Sequence, residues 1–213
     1  MKNIAVFVSG GGTNLQALID AQARGELSGG KLALVLSSSP DAYALERARQ
    51  AGIPTAVCSK KELGSQDAFE SAIHKALAEH SIHVIVLAGF LSILSEDLTS
   101  WWPERILNIH PSLIPSFCGK GMYGLKVHEA VLARGVKVTG ATVHFVTAEP
   151  DGGPIVLQKA IDILPDDTPE SLQRRVMEEC EWKLLPKAVD LLCRDALKVE
   201  GRTVKIIGGR VIV

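Results

Sequence analysis

The chain has 213 residues, 46% of them hydrophobic, and a formal net charge of −1 at pH 7. This length and composition are enough to bury a hydrophobic core, and we expect one domain that covers residues 1–213. The near-neutral charge argues against general electrostatic binding to nucleic acid or anionic lipid. The chain opens on a short apolar run that glycines interrupt, and no later apolar run has membrane-spanning length, so we expect a cytoplasmic protein.

The first predicted unit is a strand, a glycine turn and a helix. Residues 3–9 form an apolar run, Gly10, Gly11 and Gly12 follow it, and a helical pattern begins after Thr13 and Asn14. Backbone N–H groups at such a helix start form an anion site, which predicts a phosphate there. The spacing is neither the dinucleotide fingerprint nor a P-loop. A tight turn capped by Thr13 or Asn14 is the structural alternative.

Apolar runs typical of strands alternate with helical patterns along most of the chain. Predicted strands are residues 32–36, 55–57, 84–88, 106–110, 141–147 and 155–163, and predicted helices are residues 42–51, 67–79, a short helix after Ser95, 127–133 and 169–196. This rhythm predicts an α/β fold with a doubly wound, mainly parallel sheet and helices on both faces. Residues 199–213 predict a terminal hairpin around Gly208 and Gly209.

Polar side chains gather where the predicted strand 106–110 ends. Asn108 and His110 are two residues apart, so their side chains leave the same face, and Pro111 stops the strand. A second strand crosses His144 and runs into the turn that begins at Asp151. Catalytic groups collect at strand exits in open α/β sheets. These side chains are therefore a candidate catalytic set.

The chemistry of this set suits transfer of a carbonyl-level group. Asn108 offers a neutral donor to an oxyanion, His110 exchanges protons near neutral pH, and the Asp151 carboxylate orients the histidine and stabilises its cation. No serine or cysteine nucleophile is needed when the substrate's own amine attacks. The structural alternative is a satisfied histidine at a strand end beside an ordinary Asp-Gly-Gly-Pro turn.

The cysteines predict reduced, mostly structural thiols. The four lie at positions 58, 118, 180 and 193, without a CxxC pair or histidines at metal-ligand spacing. We therefore expect no bound metal.

Taken together, the segments SGGGTN, LAGFLSIL, NIHPSLIPSF, ATVHFV and DGGPI resemble the glycinamide ribonucleotide formyltransferase family, folate-dependent enzymes of purine biosynthesis. The resemblance covers nearly the whole chain, with the motifs in the family's order. It implies the formyltransferase fold, with a Rossmann-like, mononucleotide-binding half at residues 1–110 and a half at residues 111–213 that completes the folate site. It also implies transfer of the formyl group of 10-formyltetrahydrofolate to the amine of glycinamide ribonucleotide.

The same resemblance assigns roles to individual positions. Asn108, His110 and Asp151 match the catalytic asparagine, histidine and aspartate, and Asp151 is expected to raise the pKa of the histidine. Residues that match the ribonucleotide site are Gly12, Thr13, Asn14 and Glu181. Residues that match the folate site are Gln66, Leu91, Ser92, Ile93, Leu94 and Asn108. Backbone groups of Leu91 to Leu94, the 91–94 segment, are expected to read the pterin edge.

Two departures from the family's pattern stand out. Gln66 lies where relatives often carry an arginine near the folate tail, and a neutral amide loses the charge-assisted pairing with a carboxylate. Lys60 or Lys61 is an alternative cation. Residues 118–122 also contain more glycine than the arginine-bearing loop of some relatives. His144 is either a support for the catalytic residues or a structural histidine.

Other functions remain as alternatives. Methionyl-tRNA formyltransferase and formyltetrahydrofolate hydrolase share the catalytic core but carry an additional domain, and the length of this chain argues against both. A phosphate-binding module without catalysis and a nicotinamide-dependent enzyme are the two remaining readings, and Leu15 weakens the second. The expected partners are small molecules, with no nucleic acid or membrane, and the protein is expected to be a monomer or homodimer.

Overall fold

The computed structural model describes residues 1–208, which form a sheet of nine strands. The strands are β1 (Lys2–Val8), β2 (Gly30–Ser37), β3 (Thr55–Val57), β4 (Val84–Leu87), β5 (Ile106–His110), β6 (Val138–Phe145), β7 (Ile155–Asp162), β8 (Leu197–Glu200) and β9 (Thr203–Ile206). Their spatial order is β3-β2-β1-β4-β5-β6-β7-β9-β8.

Helices cover both faces of this sheet. They are α1 (Thr13–Ala23), α2 (Tyr43–Gln50), α3 (Lys60–Leu63), α4 (Gln66–Glu79), α5 (Glu96–Ser100), α6 (Leu125–Arg134), α7 (Pro169–Val176) and α8 (Trp182–Cys193). Apolar side chains of α1, α2, α6, α7 and α8 pack into one hydrophobic cluster, and those of α4 and α5 pack into another. Because both faces are buried, the central strands are almost continuously apolar, and the predicted doubly wound fold is confirmed.

The sheet changes direction at β5. Strands β3, β2, β1, β4 and β5 pair in parallel, whereas β5 with β6 and β6 with β7 pair antiparallel. The register places Asn108 opposite His144 and His110 opposite Thr142. The carboxyl end of β5 therefore lies beside the antiparallel part of the sheet, where the β6–β7 connection approaches it.

The predicted long helix at 169–196 is confirmed as one continuous helical region, but its regularity and its end differ from the prediction. It consists of α7, a π-helical turn at Met177–Glu181 and α8, and it ends at Cys193. Single π turns interrupt α-helices frequently at functional sites. One wider turn hardly changes the apolar pattern on either side, so that pattern predicted one helix.

The terminal hairpin is confirmed, but its turn lies at Gly201 and Arg202, ahead of the glycine pair around which it was predicted. Strands β8 and β9 pair antiparallel around Gly201 and Arg202, and Gly201 has a φ of +63°. A positive φ at the first position of a two-residue hairpin turn favours glycine. Gly208 lies after β9, and Gly209 lies outside the described residues.

The remaining differences concern boundaries. Strand β6 begins at Val138 because its first residues pair with the end of β7, three residues before the predicted start. The short helix α3 was not predicted. Within the described part of the chain, no helix is long and apolar enough to cross a membrane.

Candidate active site

The three predicted catalytic side chains lie together at the end of β5. Pro111 lacks a backbone N–H and follows the last residue of the strand, so the ladder stops at His110. Asp151 reaches the same place from the β6–β7 connection with a φ of +55°. Asp151 Oδ1 lies 3.4 Å from Asn108 Nδ2, and Asp151 Oδ2 lies 3.6 Å from His110 Nδ1. The sequence-based grouping of these residues thus matches their geometry.

Asp151 is held in place by a backbone group as well as by side chains. Its Oδ2 accepts a hydrogen bond of 2.8 Å from the N–H of Gly119, and its Oδ1 lies 3.4 Å from His144 Nε2. Burial alone would raise the pKa of Asp151, but the neighbouring His144 ring, the charge of His110 and the Gly119 N–H outweigh it and lower that pKa. Asp151 is therefore a carboxylate at neutral pH.

The hydrogen bonds of His110 define its tautomer. Nε2 lies 2.9 Å from the carbonyl oxygen of Phe117, and since a carbonyl only accepts, Nε2 carries a proton. The remaining nitrogen, Nδ1, faces Asp151. A second proton at Nδ1 would create an ion pair between the imidazolium and the carboxylate.

The expectation that Asp151 raises the pKa of His110 describes only one of two opposing effects. His110 is 4% exposed, and this burial lowers its pKa more than the charge of Asp151 and the Phe117 carbonyl raise it. The net pKa lies below that of an ordinary histidine. Asp151 therefore limits the cost of charging a buried imidazole, without fully cancelling it.

His144 supports Asn108. Its Nδ1 lies 2.8 Å from the carbonyl oxygen of Phe145, so Nδ1 is the donor and the neutral ring presents an acceptor at Nε2. Asn108 Nδ2 lies 3.1 Å from that acceptor. The ring, 1% exposed, thereby orients the asparagine amide. Of the two readings that the sequence left open for His144, this geometry favours the supporting one.

The glycine turn lies at the start of α1, and its glycines differ in their surroundings. Gly12 has a φ of +74° and is the N-cap residue, so neither Thr13 nor Asn14 caps the helix. A Cβ at Gly12 would fall 2.6 Å from Ala44 Cβ, whereas a Cβ at Gly10 or Gly11 would have no atom within 4 Å. Gly12 is therefore required by packing and backbone conformation, and the open side of the turn belongs to the other two glycines.

A cation borders this turn. Arg47 donates from Nε to the carbonyl oxygen of Gly11 at 2.9 Å and from Nη1 to Gln16 at 3.0 Å. A cavity of about 280 Å³ beside α1 is lined in part by Thr13, Gln16 and Arg47. The guanidinium and the N-terminus of α1 both favour an anion here. The sequence analysis did not identify Arg47, since nothing in the helical pattern of α2 points to the turn.

Glu181 lies close to Asn14, as their shared assignment requires. Asn14 Nδ2 donates to Glu181 Oε2 at 2.6 Å, and Glu181 is 6% exposed in the π-helical turn. Burial raises the pKa of Glu181 to about 7, although the bond from Asn14 opposes this rise. The Asn14 Oδ1 atom is buried and has no hydrogen-bond partner within the described residues. The pair thus contains a polar atom that a ligand hydroxyl could satisfy.

The 91–94 segment borders the catalytic residues across a cavity of about 140 Å³. The residues around this cavity include Phe90, Ser92, Ile93, Leu94, Asn108, His144 and Asp151. Ile93 is 71% exposed, whereas Leu94 is 8% exposed. In the part of the chain that the structure describes, the backbone N–H and C=O of Ser92 have no partner. A flat ligand edge therefore finds apolar side chains and backbone hydrogen-bonding groups beside Asn108.

Two further polar residues near these sites were missed by the sequence analysis. His128 is fully buried in α6, both of its ring nitrogens lack partners among the described residues, and burial together with the charge of His110 lowers its pKa to about 4. Glu70 is a buried carboxylate in α4 that contacts the predicted folate residue Gln66. Neither has a sequence signal beyond its helical position.

All four cysteines are free, and only Cys118 is partly exposed. Among residues 1–208, no group of three or more histidine, cysteine, aspartate or glutamate side chains is arranged to hold a metal ion.

The sequence and the fold were compared with known proteins. A sequence model described as formyl transferase matches residues 2–189. Phosphoribosylglycinamide formyltransferase of Haemophilus influenzae is 40% identical over 200 residues, which cover 94% of this chain and 91% of that protein. The trifunctional purine biosynthetic protein adenosine-3 of Gallus gallus is 43% identical over 92% of this chain, which spans only 19% of that longer protein.

A solved structure is similar over the same length. The crystal structure of glycinamide ribonucleotide transformylase 1 from Symbiobacterium toebii has a TM-score of 0.90 and 42% sequence identity, and the match covers 97% of this chain and 94% of that one. Since the family match includes β1 through most of α8 and the Haemophilus relative is matched over nearly its full length, this chain belongs to the formyl transferase family.

Proposed function

We propose that this protein transfers the formyl group of 10-formyltetrahydrofolate to the primary amine of glycinamide ribonucleotide, yielding formylglycinamide ribonucleotide and tetrahydrofolate in purine biosynthesis. The observation that carries the proposal is the cluster of Asn108, His110 and Asp151 beside the cavity that the 91–94 segment borders. The names of the relatives in the same family agree with it.

The chemical step requires stabilisation of a tetrahedral intermediate and movement of one proton. The substrate amine attacks the formyl carbon, and protonated His110 together with the Asn108 amide stabilises the resulting oxyanion, once Asn108 Nδ2 exchanges its 3.4 Å contact with Asp151 for the substrate oxygen. The C–N bond to folate then breaks as His110 donates a proton to the departing nitrogen. The attacking nitrogen releases one proton, which returns to His110 with the help of Asp151, so protons balance over the cycle.

Access to His110 depends on the segment after β5. Its Nε2 donates to the Phe117 carbonyl, so a substrate oxygen or nitrogen reaches that proton only after the bond to Phe117 exchanges. Asp151 also accepts from the N–H of Gly119, two residues farther along. The 117–119 backbone thus contacts both members of the acid–carboxylate pair.

The ribonucleotide is assigned to the glycine-turn side of the site. Its phosphate would bind the open face of Gly10 and Gly11 and the amides of Thr13 and Asn14, next to Arg47. Glu181 and the unpartnered Asn14 oxygen would contact the sugar hydroxyls. The folate is assigned to the 91–94 segment. On this reading residues 1–110 supply the mononucleotide site except for Glu181, and the half at residues 111–213 completes the folate site with Asp151.

A steady-state assay tests this function directly. Purified protein is given 10-formyltetrahydrofolate with and without glycinamide ribonucleotide, and the folate absorbance is followed alongside a His110→Ala control. The proposal predicts turnover that requires the ribonucleotide and that the control lacks.

Two other outcomes would contradict the proposal. Folate breakdown without ribonucleotide would indicate a hydrolase. Ribonucleotide binding without any turnover would indicate a binding module that retains the phosphate site alone.

A further inference from the structure

The side-chain amide of Gln66 is already fully engaged as a donor. Its Nε2 donates to Glu70 Oε1 at 2.5 Å and to the carbonyl oxygen of Ile93 at 3.2 Å. An amide nitrogen has two N–H groups, so only the acceptor Oε1 remains. A carboxylate of a folate tail is itself only an acceptor, and Gln66 in this arrangement has no donor for it.

Glu70 connects Gln66 to the start of α5. Its carboxylate accepts from the Ser95 N–H at 2.7 Å and from Ser95 Oγ at 2.6 Å, in addition to the bond from Gln66. Ser95 directly follows the 91–94 segment and is the N-cap of α5, where its Oγ accepts from the Leu98 N–H. The buried Glu70 carboxylate thus accepts hydrogen bonds from Gln66 and Ser95, and these two residues fix the end of the 91–94 segment.

The charge of Glu70 is maintained in spite of its burial. The residue is 9% exposed, and burial raises the pKa of a carboxyl, but the bonds from Ser95 and Gln66 lower it by more, so that its pKa lies below the ordinary value. Hydrogen bonds to an ionised acceptor are stronger than those between neutral groups. The hydrogen bonds that Glu70 accepts from Gln66 and Ser95 are therefore stronger than bonds between neutral groups.

The other end of the 91–94 segment is fixed separately. The N–H of Leu91 donates to Ser9 Oγ at 2.9 Å, and Ser9 Oγ lies 2.6 Å from Ser38 Oγ. Held at Leu91 and at Ile93, the segment leaves the backbone groups of Ser92 without partners among the described residues, between two anchors. Pre-organised groups of this kind bind a ligand without an ordering cost.

We propose that Glu70 is a positioning residue for folate binding, acting through Gln66 and Ser95 on the 91–94 segment, and that Gln66 holds this segment rather than the glutamate tail. The inference rests on the proposed folate-dependent function. It assigns a role to Glu70, which lies outside the cavity. It also means that Gln66 does not recognise the glutamate tail of the folate.

The test compares two ligands that differ only in the tail. Binding of tetrahydrofolate and of tetrahydropteroate, which lacks the glutamate, is measured by titration calorimetry for the native protein, Gln66→Ala and Glu70→Ala. We expect each substitution to weaken both ligands by the same factor, roughly tenfold for the loss of a charge-assisted hydrogen bond. A Gln66→Ala protein that loses affinity only for tetrahydrofolate would overturn the inference.

Kinetic measurements separate positioning from general damage. Glu70→Ala should raise the KM for 10-formyltetrahydrofolate about tenfold and leave the KM for the ribonucleotide within about twofold, since the glycine turn is untouched. Equal changes in both KM values would overturn a specific role. Glu79→Ala, an exposed glutamate on the same helix, is the matched control and should change neither.

A more conservative variant guards against misfolding of the alanine protein. Glu70→Gln keeps the shape but turns one acceptor into a donor, and it should show the same selective loss on a smaller scale; unchanged folate affinity would count against the proposal. Native protein that binds neither ligand would overturn the proposed function itself. Native binding with losses that depend on the tail would overturn the inference alone.

Discussion

Replacement of Asp151 by asparagine removes a charge that favours a protonated His110. The two groups are 3.6 Å apart, and unit charges at that separation interact by roughly 4 to 5 kcal/mol at an effective dielectric constant of about 20. This corresponds to roughly 3 pKa units as an upper value, and shifts of about 1 to 3 units are typical for such pairs. The variant should therefore have a His110 pKa lower by about 1 to 3 units.

The pH dependence of kcat reports this change. Because the proposed mechanism uses protonated His110, it predicts that turnover is lost as the pH rises through the pKa of His110, and in Asp151→Asn this loss should begin at a lower pH. At pH 7 we expect kcat to fall by about 10- to 1000-fold, with dissociation constants for both substrates within about threefold of the native values. Asp166→Asn, which alters an exposed loop aspartate, serves as the control.

Two results would refute this reasoning. A variant with a normal kcat would mean that the carboxylate does not support the histidine cation. A lower kcat with an unshifted pH profile would mean that Asp151 acts only by geometry.

Three further measurements test the ligand sites. Gly11→Val should weaken ribonucleotide binding without lowering the melting temperature, because a Cβ there meets no atom within 4 Å, and unchanged affinity would count against the phosphate site. Gly12→Val should instead destabilise the fold by about 1 to 3 kcal/mol in denaturant titrations, since its Cβ would fall on Ala44. The raised pKa of Glu181 gives a contribution to stability that is fully present below about pH 4.5, and on the order of 3 kcal/mol of it is lost as the pH rises to about 7. Glu181→Gln should remove this part of the decline in unfolding free energy between about pH 4.5 and 7.

The fold was largely predictable because its core strands and helices have strong patterns. Strand β5 was predicted with its observed bounds, since an apolar run ends sharply at Pro111. The register that sets Asn108 opposite His144 could not be predicted, because it depends on how β6 turns back against β5. The turn of the terminal hairpin was missed because a glycine pair at 208 and 209 gave a stronger signal than Gly201.

Within the candidate site, residues with special chemistry at strand ends were predictable, and their supports were not. Asn108 and His110 are recognisable from their spacing alone. Glu70 and Arg47 lie on helices whose sequence patterns are those of ordinary amphipathic helices, and their role depends on distant contacts to Ser95 and Gly11. The direction in which the pKa of His110 is shifted could not be predicted from the sequence either, because burial and a neighbouring charge oppose each other.

Because of the π-helical turn at Met177–Glu181, the number of residues in this helical region determines where Glu181 lies. Each residue of an α-helix rotates the chain by about 100°, so the removal of one residue from the turn would rotate α7 by that angle relative to α8 or shift Glu181 away from Asn14. Substitutions in this helical region should therefore be tolerated far better than insertions or deletions. Insertion or deletion of one residue in the turn should be harmful, even though the charged and apolar residues on either side of it stay the same.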